Sequence, residues 1–325
     1  VLPNSPRSAL EVFLGGIPRR VGHARPWRNW LLTHRVPPRA KETPMRKRTE
    51  AEIRRLIRAT EAFAVPSVPS EGRAAQVERP LTPALSPSEG EREKNSPPEA
   101  HHIYQYLNLA AAIGANPRAV APRLEVTEAE VQAIRQRFGT GPPAQPRPKL
   151  LGLNAGAEYG PAKRWPRERF IDAAIKIQAA AGCLCWVFGG PAEVDFARGI
   201  ADAIAAAKAG PPDSVRCLAG QTSLRELCAA LKACNVLLTN DSGPMHVAAA
   251  VGTRIVALFG STSPDLTGPG LPGDTRHRLL MCGAPCSPCF RRECPIDLRC
   301  MTGISVERVV AAVSEFLGQT LPDAP

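Results

Sequence analysis

A chain of 325 residues is long enough for two ordinary domains, each burying its own core. The most apolar stretch, 247–259, is short and broken by Arg254, well under the roughly 18 uninterrupted apolar residues of a membrane span, so a soluble protein is expected. The net charge of +11 is unevenly placed: residues 1–48 hold eleven Lys and Arg against Glu11 and Glu42 and supply +9 of it. Such a face suits an anionic lipid or a phosphorylated substrate, or serves solubility alone. Nothing resembles a helix-turn-helix, a zinc finger or an RNA-binding signature, so nucleic acid is not an expected partner. The N-terminus shows no signal-peptide pattern, and Cys183, Cys185, Cys217, Cys228 and Cys234 sit in apolar patterns as reduced, buried thiols. Both features point to the cytoplasm.

In chain order, the spacing predicts a helix over 6–13 after Ser5, short apolar runs at 17–21 and 30–33, and a charged helix over 46–62. Residues 64–99 are rich in Pro, Ser and Glu and cannot bury enough surface to offset their ordering entropy; they read as a disordered insertion. Helices follow at 101–113 and 127–138, the second opened by the capping box Thr127-x-x-Glu130, and the Pro-rich stretch 139–148 reads as a domain boundary. Beyond it five short apolar strands (150–153, 184–188, 216–218, 236–238, 255–259) alternate with helices, which specifies a parallel sheet covered on both faces. The expected division is thus 1–63 with 100–140 as one domain and 149–325 as the other.

In parallel sheets ligands bind beyond the carboxyl ends of the strands, so the strand-end loops are the place to look for chemistry. The loop from Thr239 to His246 joins a buried strand to a helix. Gly243 permits close backbone approach, Pro244 suits the first helical turn and Ser242 is placed to cap it, which aims free N–H groups and the helix dipole at the cleft. Asp241 would be repelled by phosphate there and is better suited to accept from sugar hydroxyls. The loop after the first strand, 154–166, carries Lys163 and Arg164 just before a helix, where Lys163 could hold a phosphate. A third loop, Phe188-Gly-Gly-Pro-Ala-Glu193, resembles half of a dinucleotide fingerprint, and Glu193 could accept from ribose hydroxyls. Plain alternatives stand beside these: a capped helix start, a solvated lysine and a first-turn glutamate.

Taken together, Leu237-Leu-Thr-Asn-Asp-Ser-Gly-Pro-Met-His-Val-Ala-Ala-Ala, Val256-Ala-Leu-Phe-Gly-Ser-Thr-Ser-Pro-Asp and Gly156-Ala-Glu-Tyr-Gly-Pro-Ala-Lys-Arg-Trp-Pro resemble the lipopolysaccharide heptosyltransferases of glycosyltransferase family nine, in its heptosyltransferase II branch. Leu2-Pro-Asn-Ser-x-Arg-Ser-Ala-Leu and Gly16-Ile-Pro-Arg-Arg resemble part of that family's N-terminal domain. The resemblance implies an α/β fold of GT-B type, two Rossmann-like domains with the N-terminal one incomplete, and inverting transfer of heptose from ADP-heptose to the lipopolysaccharide inner core. It implies Lys163, Ser242 and Gly243 on the diphosphate, Asp241 on the heptose hydroxyls, His246 in the same pocket and Glu193 on the adenosine ribose, with Asn4, Ser5 and Arg7 on the acceptor side. No metal or obligatory cofactor is implied. The partners would be the nucleotide sugar and an anionic glycolipid, met at the cytoplasmic surface of the inner membrane. The family's catalytic base is expected ahead of Val1, so no catalytic residue is assigned within the chain; a catalytically impaired remnant that keeps the donor domain is the competing reading.

One further group stands apart. Cys282, Cys286, Cys289, Cys294 and Cys300 are close enough in sequence to bind zinc, although standard zinc sites pair two close doublets and this segment has one. Reduced surface thiols or an oxidised pair fit the spacing better, and no metal ligand is assigned.

Overall fold

The structure, a computed structural model, describes residues 6–39, 45–61, 98–139 and 148–318. Its N-terminal part contains helix α1 (Pro6–Leu14), strands β1 (Val21–His23) and β2 (His34–Val36), and helices α2 (Glu50–Glu61), α3 (His102–Ala111) and α4 (Glu128–Arg137). β1 and β2 pair in parallel, Val21 opposite His34 and His23 opposite Val36. The Thr127 box forms as expected: Glu130 N–H donates to Thr127 Oγ1, and the Glu130 carboxylate accepts from Thr127 N–H at 2.8 Å. α2 starts later than the pattern predicts because an equivalent box at Thr49 and Glu52 sets its first turn.

The C-terminal part follows as β3 (Leu150–Asn154), α5 (Arg167–Ala181), β4 (Leu184–Val187), α6 (Val194–Ala206), β5 (Val215–Cys217), α7 (Leu224–Ala233), β6 (Val236–Asn240), α8 (Gly243–Ala250), β7 (Arg254–Leu258), α9 (Pro264–Thr267), β8 (His277–Leu280), α10 (Arg299–Thr302) and α11 (Val306–Gly318). Its six strands form one parallel sheet in the order β5-β4-β3-β6-β7-β8. The chain therefore builds outward from β3 in one direction, returns to β6 and builds outward in the other. The gap between the carboxyl ends of β3 and β6 is the point where such sheets open a crevice.

The strands read as nearly unbroken apolar runs because both faces are covered. Leu151, Leu153, Cys185, Val187, Val236, Leu238, Val256 and Leu258 point to one face, against Phe170 and Ile177 of α5, Ile200 and Ile204 of α6 and Val309 and Val313 of α11. Their alternates Leu150, Trp186, Leu237, Ile255 and Ala257 point to the other, against Leu231 of α7 and Met245 and Ala248 of α8. Each such side chain, fully buried, contributes about 1.5–3 kcal/mol. Gly182 ends α5 in the left-handed region at φ 57°, a conformation that costs a residue with a Cβ.

Two helices assigned from sequence to the first domain belong to this core. Ile53 and Ile57 of α2 pack on the first face, and Val131 and Ile134 of α4, with Phe138, on the second. The Pro-rich linker after α4 thus does not separate it from the sheet, because the apolar stripe of α4 needs a partner that only α7 and its neighbours provide. The sixth strand β8 and helix α11 escaped the sequence reading: β8 is an edge strand that opens on His277 and Arg278 and carries little apolar signal. The predicted insertion at 64–99 lies outside the described residues except for 98 and 99, which belong to a short helical turn, Pro98–Ala100, where Arg39 donates to the Glu99 carbonyl at 2.8 Å.

Candidate functional site

Polar residues are rare in the sheet interior and gather at one place. Asn154, at the carboxyl end of β3, and Thr239, Asn240 and Asp241, at that of β6, are buried, as are Ser261, Thr262 and Ser263 beyond β7. A buried polar group is costly when unpaired, and most of these are held by hydrogen bonds within the group, although the Ser261 hydroxyl has no partner among the described residues. Asn154 Nδ2 donates to Thr239 Oγ1 and to Ser242 Oγ, both at 3.0 Å. Asn240 reaches across the switch point: its Nδ2 donates to the Ala155 carbonyl at 2.7 Å, and its Oδ1 accepts from Trp165 N–H at 3.0 Å. The two loops that flank the crevice are therefore stitched together by side chains from the strand ends.

The central interaction joins residues 78 positions apart: Lys163 Nζ donates to Asp241 Oδ2 at 2.6 Å, and Thr262 Oγ1 donates to the same oxygen at 2.6 Å. The pair is shielded, its side chains only 13% and 4% exposed. The Lys163 ammonium also lies over the Tyr159 ring, 4.8 Å from its centroid, and the Arg292 guanidinium approaches the same ring at 5.3 Å. Tyr159 is fixed by donation to the Phe290 carbonyl at 2.8 Å, and the Ala162 N–H donates to the Arg292 carbonyl at 2.9 Å. The loop that carries Lys163 is thus braced by the segment around residue 290.

Ser242 occupies the cap position of α8 but does not cap it; no side-chain capping bond forms there. This corrects the expectation from sequence. The hydroxyl turns back to Asn154 and to Thr239 Oγ1, 3.2 Å away, and leaves the first turn of α8 open to the crevice. His246, one turn on, is exposed to solvent on one side while its inner side packs against the site: desolvation there lowers its pKa, the Asp241 carboxylate raises it, and His101 and Lys163 lower it again. The balance favours the neutral ring, which can both donate and accept. His101 comes from the start of α3, its Nδ1 accepting from Ile103 N–H at 3.3 Å and its Nε2 lying 3.1 Å from the Gly268 carbonyl.

Lys163, Asp241, Ser242, Gly243 and His246 are therefore brought together. Glu193 borders the same crevice: its carboxylate accepts from Gly190 N–H at 3.2 Å, stands 3.9 Å from Arg164 and covers Gly156, where an added Cβ would lie 2.2 Å from Glu193 Oε1. Arg7 is not part of the group; it forms an exposed ion pair with Glu11 at 2.7 Å, and Asn4 and Ser5 lie outside the described residues. Sequence reasoning did not single out Asn154, Asn240, Tyr159, Thr262, Arg292 or His101. For the first two and Thr262 a signal existed: polar residues set at the ends of apolar strands.

This arrangement can be compared with known proteins. A family model described as "Glycosyltransferase family 9 (heptosyltransferase)" matches residues 85–299. The chain belongs to glycosyltransferase family 9. Family members similar to it include lipopolysaccharide heptosyltransferase 2 of Escherichia coli K12, 31% identical over 269 residues that make up 83% of this chain and 61% of the relative. Lipooligosaccharide heptosyltransferase 2 of Campylobacter jejuni serotype O:2 is 32% identical over 171 residues, 52% of this chain and 51% of the relative, so the chain spans about half the length of such a relative. Among solved structures, E. coli ADP-heptose lps heptosyltransferase II aligns with 98% of this chain and 75% of its own, at a TM-score of 0.62 and 23% identity. A family 9 glycosyltransferase of Veillonella parvula aligns with 71% of this chain and 62% of its own, at a TM-score of 0.53. The family 9 chain shares with these neighbours the α/β architecture of GT-B type.

Proposed function

We propose that this family 9 chain binds ADP-heptose in the β3–β6 crevice and transfers the heptose to the inner core of a lipopolysaccharide by inverting displacement. The observation that supports this most is the meeting of Lys163 and Asp241, from separate loops, in front of an uncapped helix start. Lys163 would bridge Asp241 and the donor diphosphate, while the amides of Gly243 and its neighbours and the dipole of α8 stabilise the charge that grows as ADP leaves. Asp241, already held by Lys163 and Thr262, would accept from heptose hydroxyls, neutral His246 would hydrogen-bond in the same pocket, and Glu193 would take the ribose. These groups supply the leaving-group stabilisation without an obligatory cofactor.

The acceptor would be an anionic glycolipid met at the cytoplasmic face of the inner membrane. The basic first segment supports this, since it displays Leu14, Trp27 and Trp30 among its arginines. Among the described residues no helix is long and apolar enough to cross a membrane, so association would be peripheral.

Calorimetric titration with ADP and ADP-heptose, followed by a transfer assay on a Kdo-bearing acceptor, tests the reading. Lys163→Met is expected to weaken ADP binding by about 10- to 100-fold, the loss of one charge-assisted bond. Unchanged ADP affinity in that variant refutes the donor site. Because the chain covers only part of its relatives' length, a second reading is a donor-binding unit without turnover; tight ADP-heptose binding with no transfer would favour it.

A further inference from the structure

Lys163, Arg164 and Arg292 all stand on or against the loop 154–166, and they differ in what they face. Lys163 is paired with Asp241 at 2.6 Å. Arg164 donates to the Ala157 carbonyl at 3.2 Å and stands 3.9 Å from the Glu193 carboxylate. Arg292 comes from the irregular segment between β8 and α10. Its guanidinium lies over the Tyr159 ring, 5.3 Å from the centroid, and among the described residues no carboxylate pairs with it. An exposed arginine ordinarily keeps its rotamer freedom in water, whereas this one is held against a ring that is itself fixed.

The backbone sets that placement. Phe290 adopts the left-handed conformation at φ 54°, which persists in a residue with a side chain only where the surroundings impose it. The Phe290 carbonyl accepts from the Tyr159 hydroxyl at 2.8 Å, and the Arg292 carbonyl accepts from Ala162 N–H at 2.9 Å. Gly160, at φ 149°, lets the two segments close up: an added Cβ would lie 2.6 Å from the Arg292 carbonyl oxygen. Arg291 is engaged elsewhere, donating to the Arg48 carbonyl at 3.1 Å. Of the two neighbouring arginines, Arg292 is therefore the one held against the Lys163 loop.

This geometry has an electrostatic consequence. The Lys163 ammonium lies 4.8 Å from the same ring centroid, so the two cations are no more than about 10 Å apart, about one Debye length at 0.1 M salt. The Tyr159 face attracts both, but burial keeps its phenol protonated, and the ring brings no net charge. Lys163 has its carboxylate; Arg292 has none. An anion beside them supplies the missing charge, and a planar guanidinium suits the paired oxygens of a phosphate.

Building on the donor site proposed above, we propose that Arg292 is a second phosphate-binding cation of the crevice, beside Lys163. The phosphate belongs either to the nucleotide, as its second phosphate, or to a phosphorylated glycolipid acceptor; the recognising chemistry is the same. In the first case Arg292 shares with Lys163 the charge that grows on the leaving diphosphate, and in the second it sets the acceptor's anion beside the donor. The role lies in the side chain alone. Bracing of Gly160 and Ala162 runs through the Arg292 carbonyl, which a change of side chain keeps.

The test uses the full chain, titrated by calorimetry with ADP, with AMP and with a phosphorylated, Kdo-bearing glycolipid. Where the nucleotide is the source, Arg292→Met should weaken ADP binding by about 10-fold and leave AMP, which lacks the second phosphate, nearly unchanged. Unchanged ADP affinity with glycolipid binding weakened about 10-fold assigns Arg292 to the acceptor instead. Arg118→Met, which removes an exposed charge from the segment between α3 and α4, should alter none of the three, and circular dichroism checks that both variants fold. The inference is overturned by an Arg292→Met protein that binds ADP and glycolipid as the wild type does, that loses ADP and AMP equally, or that behaves as Arg118→Met does. Lys163→Met, run in parallel, separates the two levels. Weaker ADP binding in that variant, with no effect of Arg292→Met on any ligand, leaves the donor site standing and removes only Arg292; unchanged ADP binding in Lys163→Met removes the donor site and the role of Arg292 with it.

Discussion

In the C-terminal part, six parallel strands are covered on both faces, and β3, β6 and β7 are buried almost along their whole length; β1 and β2, by contrast, pair among the described residues only with each other, beside exposed Leu14, Trp27 and Trp30. A two-stranded sheet is marginal by itself, whereas a sheet with two covered faces can hold a loop in place to fractions of an ångström. The difference explains where the polar constellation sits. Asn154, Asn240 and Asp241 are buried at strand ends where hydrogen bonds from facing loops satisfy them. The N-terminal part, which brings His101 to the edge of the crevice, contributes surface and charge more than rigidity.

The comparison is tested most severely inside the large sheet. Phe170 of α5 is fully buried and meets the Trp165 ring edge-on, with centroids 5.1 Å apart. Phe170→Ala should cost about 3–5 kcal/mol, the range for aromatic deletion from a packed core, measured by urea denaturation at constant m-value. Trp165 N–H holds Asn240, so ADP affinity should fall with it. A small loss of stability with intact ADP binding would mean that the two parts do not differ as described.

The next effect is pH-dependent and lies at the sheet edge. His277 of β8 is buried, neither ring nitrogen has a hydrogen-bond partner, and Asp274 stands 3.6 Å from Nε2. Burial outweighs the attraction of Asp274, and the ring titrates at about 4. An unfolded chain takes up this proton near pH 6.5, so the folded state prefers the neutral ring. The resulting stability is complete above about pH 6.5 and is lost as the pH falls toward 4, by about 3 kcal/mol in all. His277→Gln should flatten that part of the stability profile in chemical denaturation across this range. An unchanged acid limb would show that the ring is charged in the fold.

How much of this was legible in the sequence follows the same division. The strands β3 to β7, the Thr127 box and the loops with Lys163 and Asp241 announce themselves by local pattern: apolar runs, capping residues, glycines before a helix. What was missed depends on contacts across long separations. α4 packs on α7 through Val131 and Ile134, and Arg225 reaches Glu130, 95 residues away, at 2.6 Å; no local pattern states either contact. The orientation of Ser242 depends on Asn154, 88 residues earlier, so capping chemistry read from the loop alone gave the wrong partner. Arg292 joins the site through the Tyr159 ring, a pairing that leaves no periodicity behind. Thr127→Ala is a graded check on this boundary: it removes one capping bond and should cost about 1 kcal/mol of global stability in urea. A loss only of local helix protection, with the global value untouched, would return α4 to an independent N-terminal unit.

The smallest effect is expected where the N-terminal part meets solvent. Trp30 is 63% exposed and meets Phe13 edge-on with ring centroids 5.8 Å apart, while the Arg20 guanidinium lies over the Phe13 ring, 5.2 Å from its centroid. Since most of the indole is already in water, Trp30→Ala should change the free energy of unfolding in urea by no more than about 0.5 kcal/mol. A soluble core has no use for an indole held in that way, but an interface does, because the ring is apolar on its face and polar at its N–H. On the proposed peripheral contact with an anionic membrane, the same variant should weaken sedimentation with anionic vesicles while leaving its salt sensitivity in place. A destabilisation approaching that of Phe170→Ala would instead join Trp30 to the main core and erase the contrast between the two parts.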